Sequence, residues 1–241
     1  MTTPVAWISG AGSGIGRELA LQLAGSGHRL ALVGRTAASL RETRDLVVRA
    51  IPSRGEHEDL ILTADVGSWE EAQHAVRRTI EAFGRLDVLV NNAGFAPVGT
   101  IVQTTEPMAK EVFGVNALGP MAAVVAAWPT FAKQRGGCVV NVSSMATIDP
   151  FPVLFAYAAA KAGANLIAKS VAIEGREIGV RGFAVAPGAV ETPMLRTIVG
   201  RDVLPESKTL RPEVVARVIR ECIEGVHDAR NGEVIVVPSP G

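Results

Sequence analysis

Short apolar segments alternate with longer helix-like segments along the whole chain, and this alternation constrains the fold more than any other feature of the sequence. Most of the short segments are apolar at nearly every position, which is typical of strands buried on both faces of a parallel sheet. The sequence therefore predicts an α/β fold: a single domain, residues 1–241, with one doubly wound parallel sheet and helices on both faces. The predicted strands are residues 5–9, 29–34, 59–66, 86–92, 138–143, 181–187 and 233–238, and the predicted helices are residues 14–26, 37–51, 68–83, 106–134, 155–178 and 212–226.

The predicted loops indicate which edge of this sheet binds ligands. Segments 95–99, 146–154 and 187–210 contain proline or glycine, and each follows a predicted strand. The carboxyl ends of parallel strands lie at one edge, and open α/β sheets bind their ligands there. We therefore expect the functional site among these three loops.

The charge balance and the apolar segments exclude several classes of partner. Lysine and arginine number 24, and aspartate and glutamate also number 24, so no net charge favours a nucleic acid or an anionic membrane. The longest mostly apolar stretch, residues 121–129, is too short to span a bilayer. The first residues lack the basic segment and long apolar run of a signal peptide, so we expect a cytoplasmic protein.

The cysteines and histidines predict neither a disulfide nor a metal site. Cys138 lies in an apolar strand-like segment far in sequence from Cys222, so we expect two buried thiols, as suits a reducing compartment. The histidines are scattered without ligand spacing, which predicts solvated surface side chains and no bound metal ion. They are His28, His57, His74 and His227.

A glycine-rich segment, Ser-Gly-Ala-Gly-Ser-Gly-Ile-Gly at residues 9–16, joins the first predicted strand to the first predicted helix. The pattern G-x-G-x-x-G does not fit it, because position 15 is isoleucine; Gly10, Gly14 and Gly16 instead form G-x-x-x-G-x-G. A tight turn, a closely approaching backbone and a helix N-terminus suit a pyrophosphate. A merely flexible loop is the less favoured alternative at a strand-to-helix junction. The segment therefore indicates a Rossmann-type dinucleotide site.

Tyr157 is the only tyrosine of the chain, and it stands four residues before Lys161. Residues at this spacing share one helix face, with their Cβ atoms about 5–6 Å apart. A free tyrosine has a pKa of about 10, and a neighbouring ammonium is expected to lower that pKa. The pair is therefore a candidate proton donor and acceptor for carbonyl–alcohol interconversion. The alternative is a chance pair on a solvated helix, and the small alanines around it, which allow close packing, argue against that.

Six short motifs, in one order along nearly the whole chain, give the sequence a resemblance to the short-chain dehydrogenase/reductase family. They are the glycine turn (with Ser9 in place of the family's threonine), Asn-Asn-Ala-Gly at 91–94, Asn116 within a helix, a serine thirteen residues before the tyrosine, the Tyr-x-x-x-Lys pair, and Pro187-Gly188 followed by Thr192. The C-terminal strand matches the family's glycine-rich ending only in part.

The resemblance implies catalytic roles for four residues. Tyr157 would act as general acid and base, assisted by Lys161. The thirteen-residue spacing assigns the substrate-orienting hydroxyl to Ser144 rather than to Ser143, although a turn serine is the default interpretation of either one alone. Asn116 would belong to a water relay that connects Lys161 to solvent; a buried polar or helix-kinking asparagine is an equally supported alternative.

The resemblance also implies the contacts of a bound dinucleotide. Asp65 would contact the adenine amino group with Val66 beside the ring, although a turn or N-cap aspartate is a common alternative. Val190 and Thr192 would hold the nicotinamide carboxamide, whereas Asn91 is expected to bond a neighbouring strand. The implied cofactor-binding residues are Gly10, Ser13, Gly14, Ile15, Gly16, Arg35, Asp65, Val66, Asn92, Ala93, Gly94, Tyr157, Lys161, Pro187, Gly188, Val190 and Thr192.

The end of the second predicted strand bears on the choice between NAD and NADP. NAD-specific members of the family carry an acidic residue there, which binds the ribose 2′-hydroxyl. This chain has Gly34 at that place and Arg35 after it, which suits a 2′-phosphate and predicts NADP, with NAD as the second choice. Ser13, where many NADP-dependent relatives have a basic residue, is the counter-signal. A solvated arginine that opens a helix is the alternative interpretation of Arg35.

These features together predict an NADP-dependent oxidoreductase that acts on a small carbonyl or secondary-alcohol substrate. A dinucleotide-binding sensor without turnover is the main alternative and a scaffold protein the third, but all four catalytic residue types are present. The family's pairing of its two long helices, here residues 106–134 and 155–178, predicts a homodimer or homotetramer. The pocket implied by the resemblance is apolar and only lightly covered, although ordinary core is the alternative interpretation of its residues, which are Phe95, Met145, Phe151, Leu154, Met194 and Leu195.

Overall fold

A seven-stranded sheet forms the centre of the protein in the computed structural model, which describes residues 3–55 and 59–240. All neighbouring strands are parallel, in the order β3-β2-β1-β4-β5-β6-β7, which confirms the predicted doubly wound sheet. From β1 the chain proceeds to β2 and β3 on one side of the sheet, and from β4 it proceeds to β5, β6 and β7 on the other side. Strands β1 and β4 therefore form the switch point at which such sheets bind ligands. The strands are β1 (Val5–Ser9), β2 (Arg29–Gly34), β3 (Leu60–Thr63), β4 (Val88–Asn91), β5 (Gly137–Val142), β6 (Val180–Pro187) and β7 (Val234–Val237).

Helices cover both faces of the sheet and bury its apolar side chains. One core cluster joins the sheet to α1, α2 and α8, and a second joins the opposite face to α3 and α5. All five residues of β1 are buried, which explains why its sequence is apolar without alternation. The helices are α1 (Gly14–Gly25), α2 (Ala37–Ala50), α3 (Trp69–Phe83), α4 (Glu106–Phe113), α5 (Gly119–Gln134), α6 (Phe155–Glu174), α7 (Pro193–Ile198) and α8 (Pro212–Ile223).

Two elements differ from the prediction near the expected ligand edge. Strand β3 ends at Thr63, so Asp65 lies in the turn before α3, where its Oδ1 accepts a hydrogen bond from the Gly67 amide at 2.9 Å. This is the turn-aspartate alternative. The predicted loop 187–210 contains the short helix α7, because Thr192 caps its N-terminus and proline, which suits a first helical turn, follows.

The predicted helix 106–134 is continuous but changes its winding in the middle. Helix α4 passes into a π-helical turn at Gly114–Leu118 and then into α5. By length and composition these 29 residues could cross a membrane, with a mean hydropathy of 1.4 in the most apolar window. Half of that window is buried inside the fold, and α5 packs on α3 and on the sheet, as expected for a helix that covers a sheet.

The cysteines follow the prediction, whereas one histidine does not. Cys138 and Cys222 are buried free thiols. His28, expected on the surface, is only 8% exposed, because the turn between α1 and β2 folds its ring against the Leu23 carbonyl; burial lowers its pKa. His74 is exposed and His227 half-buried beside Glu221. His57 lies outside the described residues.

Candidate active site

A cavity of about 600 Å³ opens at the carboxyl edge of the sheet. This volume is in the range of small-molecule sites. The predicted loops 146–154 and 187–210 contribute to its wall, whereas loop 95–99 does not; after β4 the wall is formed by the residues just before that loop, 92–94. The cavity wall includes these predicted site residues: Gly10, Ser13, Gly14, Ile15, Asn92, Ala93, Gly94, Ser144, Tyr157, Lys161, Pro187, Gly188, Val190 and Thr192.

Helix α6 presents Tyr157 and Lys161 to this cavity from one face, as their spacing predicts. Their exposed fractions are only 7% and 3%. Lys161 Nζ donates to the backbone oxygen of Val142, at the end of β5, at 2.7 Å and lies 5.7 Å from the centroid of the Tyr157 ring. The alternative of a chance pair on a solvated helix face is therefore excluded.

Burial shifts the pKa of both side chains toward their neutral forms. It raises the pKa of Tyr157 to about 12, although a hydrogen bond with Ser144 offsets part of the rise, and it lowers the pKa of Lys161 to about 8. The expectation that the ammonium lowers the tyrosine pKa is therefore wrong for the free protein. The physical reason is the order of titration: the lysine loses its proton before the phenol ionises.

The two serines after β5 have different surroundings, and only Ser144 reaches the phenol. Ser144 is half-buried and lines the cavity with Tyr157, where its hydroxyl lowers the pKa of the phenol, and its Oγ accepts from the Ala146 amide at 3.1 Å. Ser143 is 2% exposed, and its hydroxyl faces the backbone oxygen of Lys161 at 3.5 Å. The thirteen-residue spacing thus selected the serine that contacts the tyrosine.

Asn116 lies in the π-helical turn and is fully buried. Its Nδ2 donates to the carbonyls of Phe95 and Val112 at 2.8 and 2.9 Å, and its Oδ1 accepts from the Phe95 amide at 3.3 Å. These bonds tie the segment after β4 to the helix, which matches the buried polar alternative. A Cβ placed on Gly94 would lie 3.4 Å from Asn116 Oδ1 and 3.7 Å from Lys161 Nζ, so both groups face the same glycine.

The glycine turn is so tightly packed that a side chain at either of two positions, Gly10 and Gly16, would collide with neighbouring atoms. Gly10 has a φ of +65°, and a Cβ there would lie 2.8 Å from Asn92 Nδ2. A Cβ on Gly16 would collide with the Gly10 carbonyl, so the first turn of α1 packs directly on the loop. Asn92 completes this closure by donating to the carbonyls of Ser9 and Gly10 at 2.9 and 3.1 Å. The flexible-loop alternative is therefore excluded.

The N-terminus of α1 has the properties of an anion site. Ser13 is its N-cap residue but makes no side-chain cap bond, and the first turn contains no acidic residue. The first amide groups of a helix need partners from outside, and they carry partial positive charge. Gly14 and Ile15, in this first turn, line the cavity. These residues fit the pyrophosphate of a dinucleotide.

The segment after β6 closes the cavity opposite the glycine turn. Thr192 is so near that a Cβ on Gly14 would lie 2.9 Å from its methyl group. Gly188 donates its amide to Val237, and Ser239 donates to the Ala189 carbonyl at 3.3 Å. The C-terminal segment therefore supports the Pro187-Gly188 turn even though its sequence matches the family only in part.

Five of the predicted residues lie outside the cavity wall: Gly16, Arg35, Asp65, Val66 and Asn116. Arg35 is exposed after β2, and no hydrogen bond or ion pair engages it within the described part of the chain. Val66 is buried beside the π-helical turn, where its carbonyl approaches Gly119. Asn91 is structural as predicted, because its Nδ2 donates to Asn141 Oδ1 on the neighbouring strand at 2.8 Å.

The remaining wall of the cavity is apolar. Phe151, Leu154, Met194 and Leu195 line it as predicted, whereas Phe95 and Met145 do not. Phe95 packs instead against the small core cluster beneath the cavity. The sequence analysis missed further residues of the wall, which carry no motif: Pro152, Val153, Ala189, Pro193, Ile198, Val199, Val203 and Leu204.

Two features hold these missed residues in place. Val153 has a φ of +64°, a costly conformation for a β-branched residue, and its carbonyl accepts from the Gly99 amide at 2.9 Å. Arg196 pairs with both carboxylate oxygens of Glu191 and donates to the Leu204 carbonyl at 2.8 Å. Hydrogen bonds from Arg196 lower the pKa of Glu191 to about 2.

Comparison with known proteins gives consistent matches. The chain matches a model of the short chain dehydrogenase family over residues 4–202. An uncharacterized oxidoreductase of Thermotoga maritima is 36% identical over 202 residues, which cover 84% of this chain and 78% of that protein. The 2-(R)-hydroxypropyl-CoM dehydrogenase of Xanthobacter autotrophicus is 34% identical over 217 residues, which cover 89% of this chain and 83% of that protein.

A solved structure matches over the same extent. The 3-ketoacyl-(acyl-carrier-protein) reductase from Brucella melitensis, complexed with NADH, has a TM-score of 0.87 and 26% identity to this chain. The match covers 100% of this chain and 98% of that one, so the likeness includes the whole sheet and both helical layers.

Proposed function

Because this chain belongs to the short-chain dehydrogenase/reductase family and is an oxidoreductase, we propose that it transfers a hydride between NADP(H) and a carbonyl or secondary-alcohol substrate, with Tyr157 as general acid and base. The observation that carries the proposal is the convergence of Tyr157, Lys161 and Ser144 on one cavity with the glycine turn. A sensor that bound the dinucleotide without turnover would need neither a buried phenol nor a hydroxyl bonded to it.

The cavity residues provide what the reduction of a carbonyl needs. The bound cofactor supplies the hydride that forms the new C–H bond at the carbonyl carbon. Tyr157 gives its proton to the carbonyl oxygen, and its high pKa keeps that proton in place at neutral pH. Ser144 Oγ accepts from the Ala146 amide, and its one hydrogen, which bonds Tyr157 in the free protein, would turn to the same carbonyl oxygen and orient it.

Lys161 and Asn116 are proposed to return the proton. Lys161, with a pKa of about 8, carries a proton at neutral pH and releases it more readily than an ordinary lysine does. In the proposal it also bonds the ribose of the cofactor. Asn116 Oδ1 and Lys161 Nζ face Gly94 together, which supports a water relay between them.

The preference for NADP rests on the residues after β2. Arg35 is exposed and engaged by no bond within the described residues, so it would meet a 2′-phosphate without breaking an existing contact. Gly34 offers no carboxylate that would repel the phosphate. The other residues proposed for the adenosine half are Asp65 and Val66. The NADH bound to the Brucella reductase shows that this fold also accepts a cofactor without the phosphate.

The substrate is proposed to be a small carbonyl or secondary alcohol with an apolar substituent. The wall beyond Tyr157 is formed by Phe151, Leu154, Met194 and Leu195, with no charged side chain on the cavity surface except Lys161 among the described residues. The names of two matched proteins support this class, since one is a dehydrogenase of a hydroxypropyl compound and the other a ketoacyl reductase.

A homodimer or homotetramer is proposed from the outer faces of the long helices. Large apolar side chains are exposed there, including Leu118, Met121 and Val125 on or just before α5 and Leu166 and Ile173 on α6. An exposed apolar patch of this kind is typical of an interface. The pairing of these two helices in the family favours a second copy of the chain as the partner.

Transfer of deuterium tests the function directly. The protein is incubated with NADPH deuterated at the reactive nicotinamide carbon and with a panel of ketones, and the alcohol is examined for deuterium at the carbinol carbon.

Tyr157→Phe keeps the ring and should lower kcat by about 10²–10⁴-fold while NADPH still binds. Ser144→Ala should impair turnover, and Ser143→Ala is the matched control. NADPH binding without deuterium in any product would favour the sensor; a Tyr157→Phe variant within a few-fold of wild type would refute the proton donor.

A further inference from the structure

Helix α6 carries a third polar residue on the face that presents Tyr157 and Lys161. Asn165 follows Lys161 by four residues, so the three side chains succeed one another by about one turn each. The first two line the cavity and Asn165 does not. Its Nδ2 donates instead to Thr147 Oγ1 at 3.1 Å, in the segment that follows β5.

Thr147 connects this bond to Ser144. The Thr147 hydroxyl donates to the Ser144 carbonyl at 2.9 Å, and the Thr147 amide donates to the same carbonyl at 3.1 Å. Between them, the Ala146 amide donates to Ser144 Oγ. The backbone and hydroxyl of Ser144 are therefore fixed by one short turn, residues 145–147, and Asn165 is a side-chain attachment of that turn to α6.

We propose that Asn165 is a positioning residue: through Thr147 it fixes Ser144 relative to Tyr157, so that helix α6 sets both groups that contact the substrate oxygen. This inference rests on the proposed function of Ser144 and Tyr157. Because Tyr157 and Asn165 lie on the same rigid helix, a displacement of the turn changes the distance between the serine hydroxyl and the phenol directly.

The energetics of Asn165 favour a positioning role over a stabilising one. Its Oδ1 is buried without a hydrogen-bond partner among the described residues, and such an acceptor destabilises the folded state. Asparagine also has a lower helix propensity than leucine. Asn165 therefore lowers the stability of the folded state both through its unpaired acceptor and through its helix propensity. The geometry that it maintains at Thr147 accounts for its presence.

The test uses variants that remove the bond at either end. Asn165→Leu and Thr147→Val should each lower kcat by about 10-fold or more, because misplacement of a catalytic group by about 1 Å can cost 10²-fold. The Tm and the dissociation constant of NADPH should not worsen. Thr147→Ser keeps the hydroxyl and should restore most of the activity, and Ser170→Ala, an exposed position of the same helix, is the control.

A second background separates positioning from a general loss of structure. In Ser144→Ala the hydroxyl to be positioned is absent, so adding Asn165→Leu should cause little further loss. An equal fold-loss in both backgrounds, or a fall in Tm that accompanies the loss of kcat, would overturn the proposal.

The ionisation of Tyr157 keeps the inference testable if the proposed function fails. Should wild type reduce no ketone of the panel, the function is refuted, but the only tyrosine of the chain still reports on Ser144. The hydrogen bond with Ser144 lowers the pKa of Tyr157, so in the presence of NADP⁺ both Asn165→Leu and Ser144→Ala should move the phenolate absorbance to higher pH. A curve for Asn165→Leu that coincides with wild type would reject the positioning role.

Discussion

Replacing Lys161 with methionine should leave the ionisation of Tyr157 in the free protein nearly unchanged, although the two side chains are neighbours. Burial lowers the pKa of Lys161 to about 8 and raises that of Tyr157 to about 12. By the pH at which the phenol ionises, the amine is already neutral and has no charge with which to stabilise a phenolate.

The size of the pKa difference and the size of the charge attraction decide whether the two side chains form a neutral pair or an ammonium–phenolate pair. Moving the proton from the phenol to the amine crosses a pKa gap of about four units, from about 12 to about 8, which costs about 5 kcal/mol at 1.36 kcal/mol per unit. Lys161 Nζ lies 5.7 Å from the centroid of the Tyr157 ring, and two opposite charges at about this separation attract by about 3 kcal/mol at an effective dielectric constant of about 20. The neutral pair is therefore favoured by about 2 kcal/mol, or ~30-fold.

The assay is a spectrophotometric pH titration of the phenolate band in the near ultraviolet. It reads a single group, because Tyr157 is the only tyrosine. Wild type and Lys161→Met should both show no phenolate through pH 10, and Tyr157→Phe gives the baseline. Bound NADP⁺ adds a positive charge that does not titrate, so it should move the wild-type curve to lower pH.

One result would refute this reasoning. If free wild type developed phenolate near pH 8 and Lys161→Met did not, the ammonium would stabilise the phenolate after all. The interior of the site would then screen charges far less than assumed, and the expectation drawn from the sequence alone would be correct.

The remaining predictions concern stability, cofactor and assembly. Because the pKa of Lys161 in the folded protein, about 8, lies below the ordinary 10.5, this lysine contributes stability that rises with pH between these values, whereas the buried thiols Cys138 and Cys222, with pKa values raised to about 12, contribute the opposite change. In denaturant titrations the free energy of unfolding of wild type should therefore rise relative to that of Lys161→Met over this pH range, since both proteins share the two thiols. The same variant should bind NADPH more weakly in a fluorescence titration. Wild type should favour NADPH over NADH in kcat/KM by about 10-fold, and a ratio of the two kcat/KM values below one would contradict the assignment of Arg35 to the 2′-phosphate. The double variant Gly34→Asp with Arg35→Ala should reverse the preference. The fold can accept the new side chain, because a Cβ on Gly34 meets only Leu40, at 3.4 Å. Light scattering should show a dimer or tetramer that Leu118→Glu with Val125→Glu dissociates, and a wild-type monomer at micromolar concentration would reject the interface.

The sequence was most informative where backbone geometry alone positions a residue. Strands buried on both faces are apolar at every position, and their spacing predicted the sheet and the edge that carries the cavity. The four-residue spacing of Tyr157 and Lys161 predicted a shared helix face, and the glycine pattern predicted a closed turn. Each of these predictions depends only on local periodicity or on the absence of a Cβ.

The sequence was least informative where a property depends on what surrounds a side chain. The pKa of Tyr157 follows from the burial of its helix face, which spacing does not reveal, and so the direction of its shift was predicted wrongly. His28 was predicted to be a solvated surface residue because the histidines are scattered without ligand spacing, yet the fold packs its ring against the Leu23 carbonyl. Asn165 carries no motif, and only the fold brings it to Thr147.

The same distinction indicates where substrate preference is determined. Tyr157, Lys161 and Ser144 are placed by a helix and a strand end, so their positions tolerate change in the rest of the cavity. The facing wall, residues 193–204, is held instead by the side chains of Glu191 and Arg196, which join both ends of the segment through the ion pair and the Leu204 carbonyl. Because the pKa of Glu191 is about 2, this attachment persists through the physiological pH range. The apolar residues of that wall can therefore vary without moving the proposed catalytic groups, so we expect substrate preference to depend on this wall.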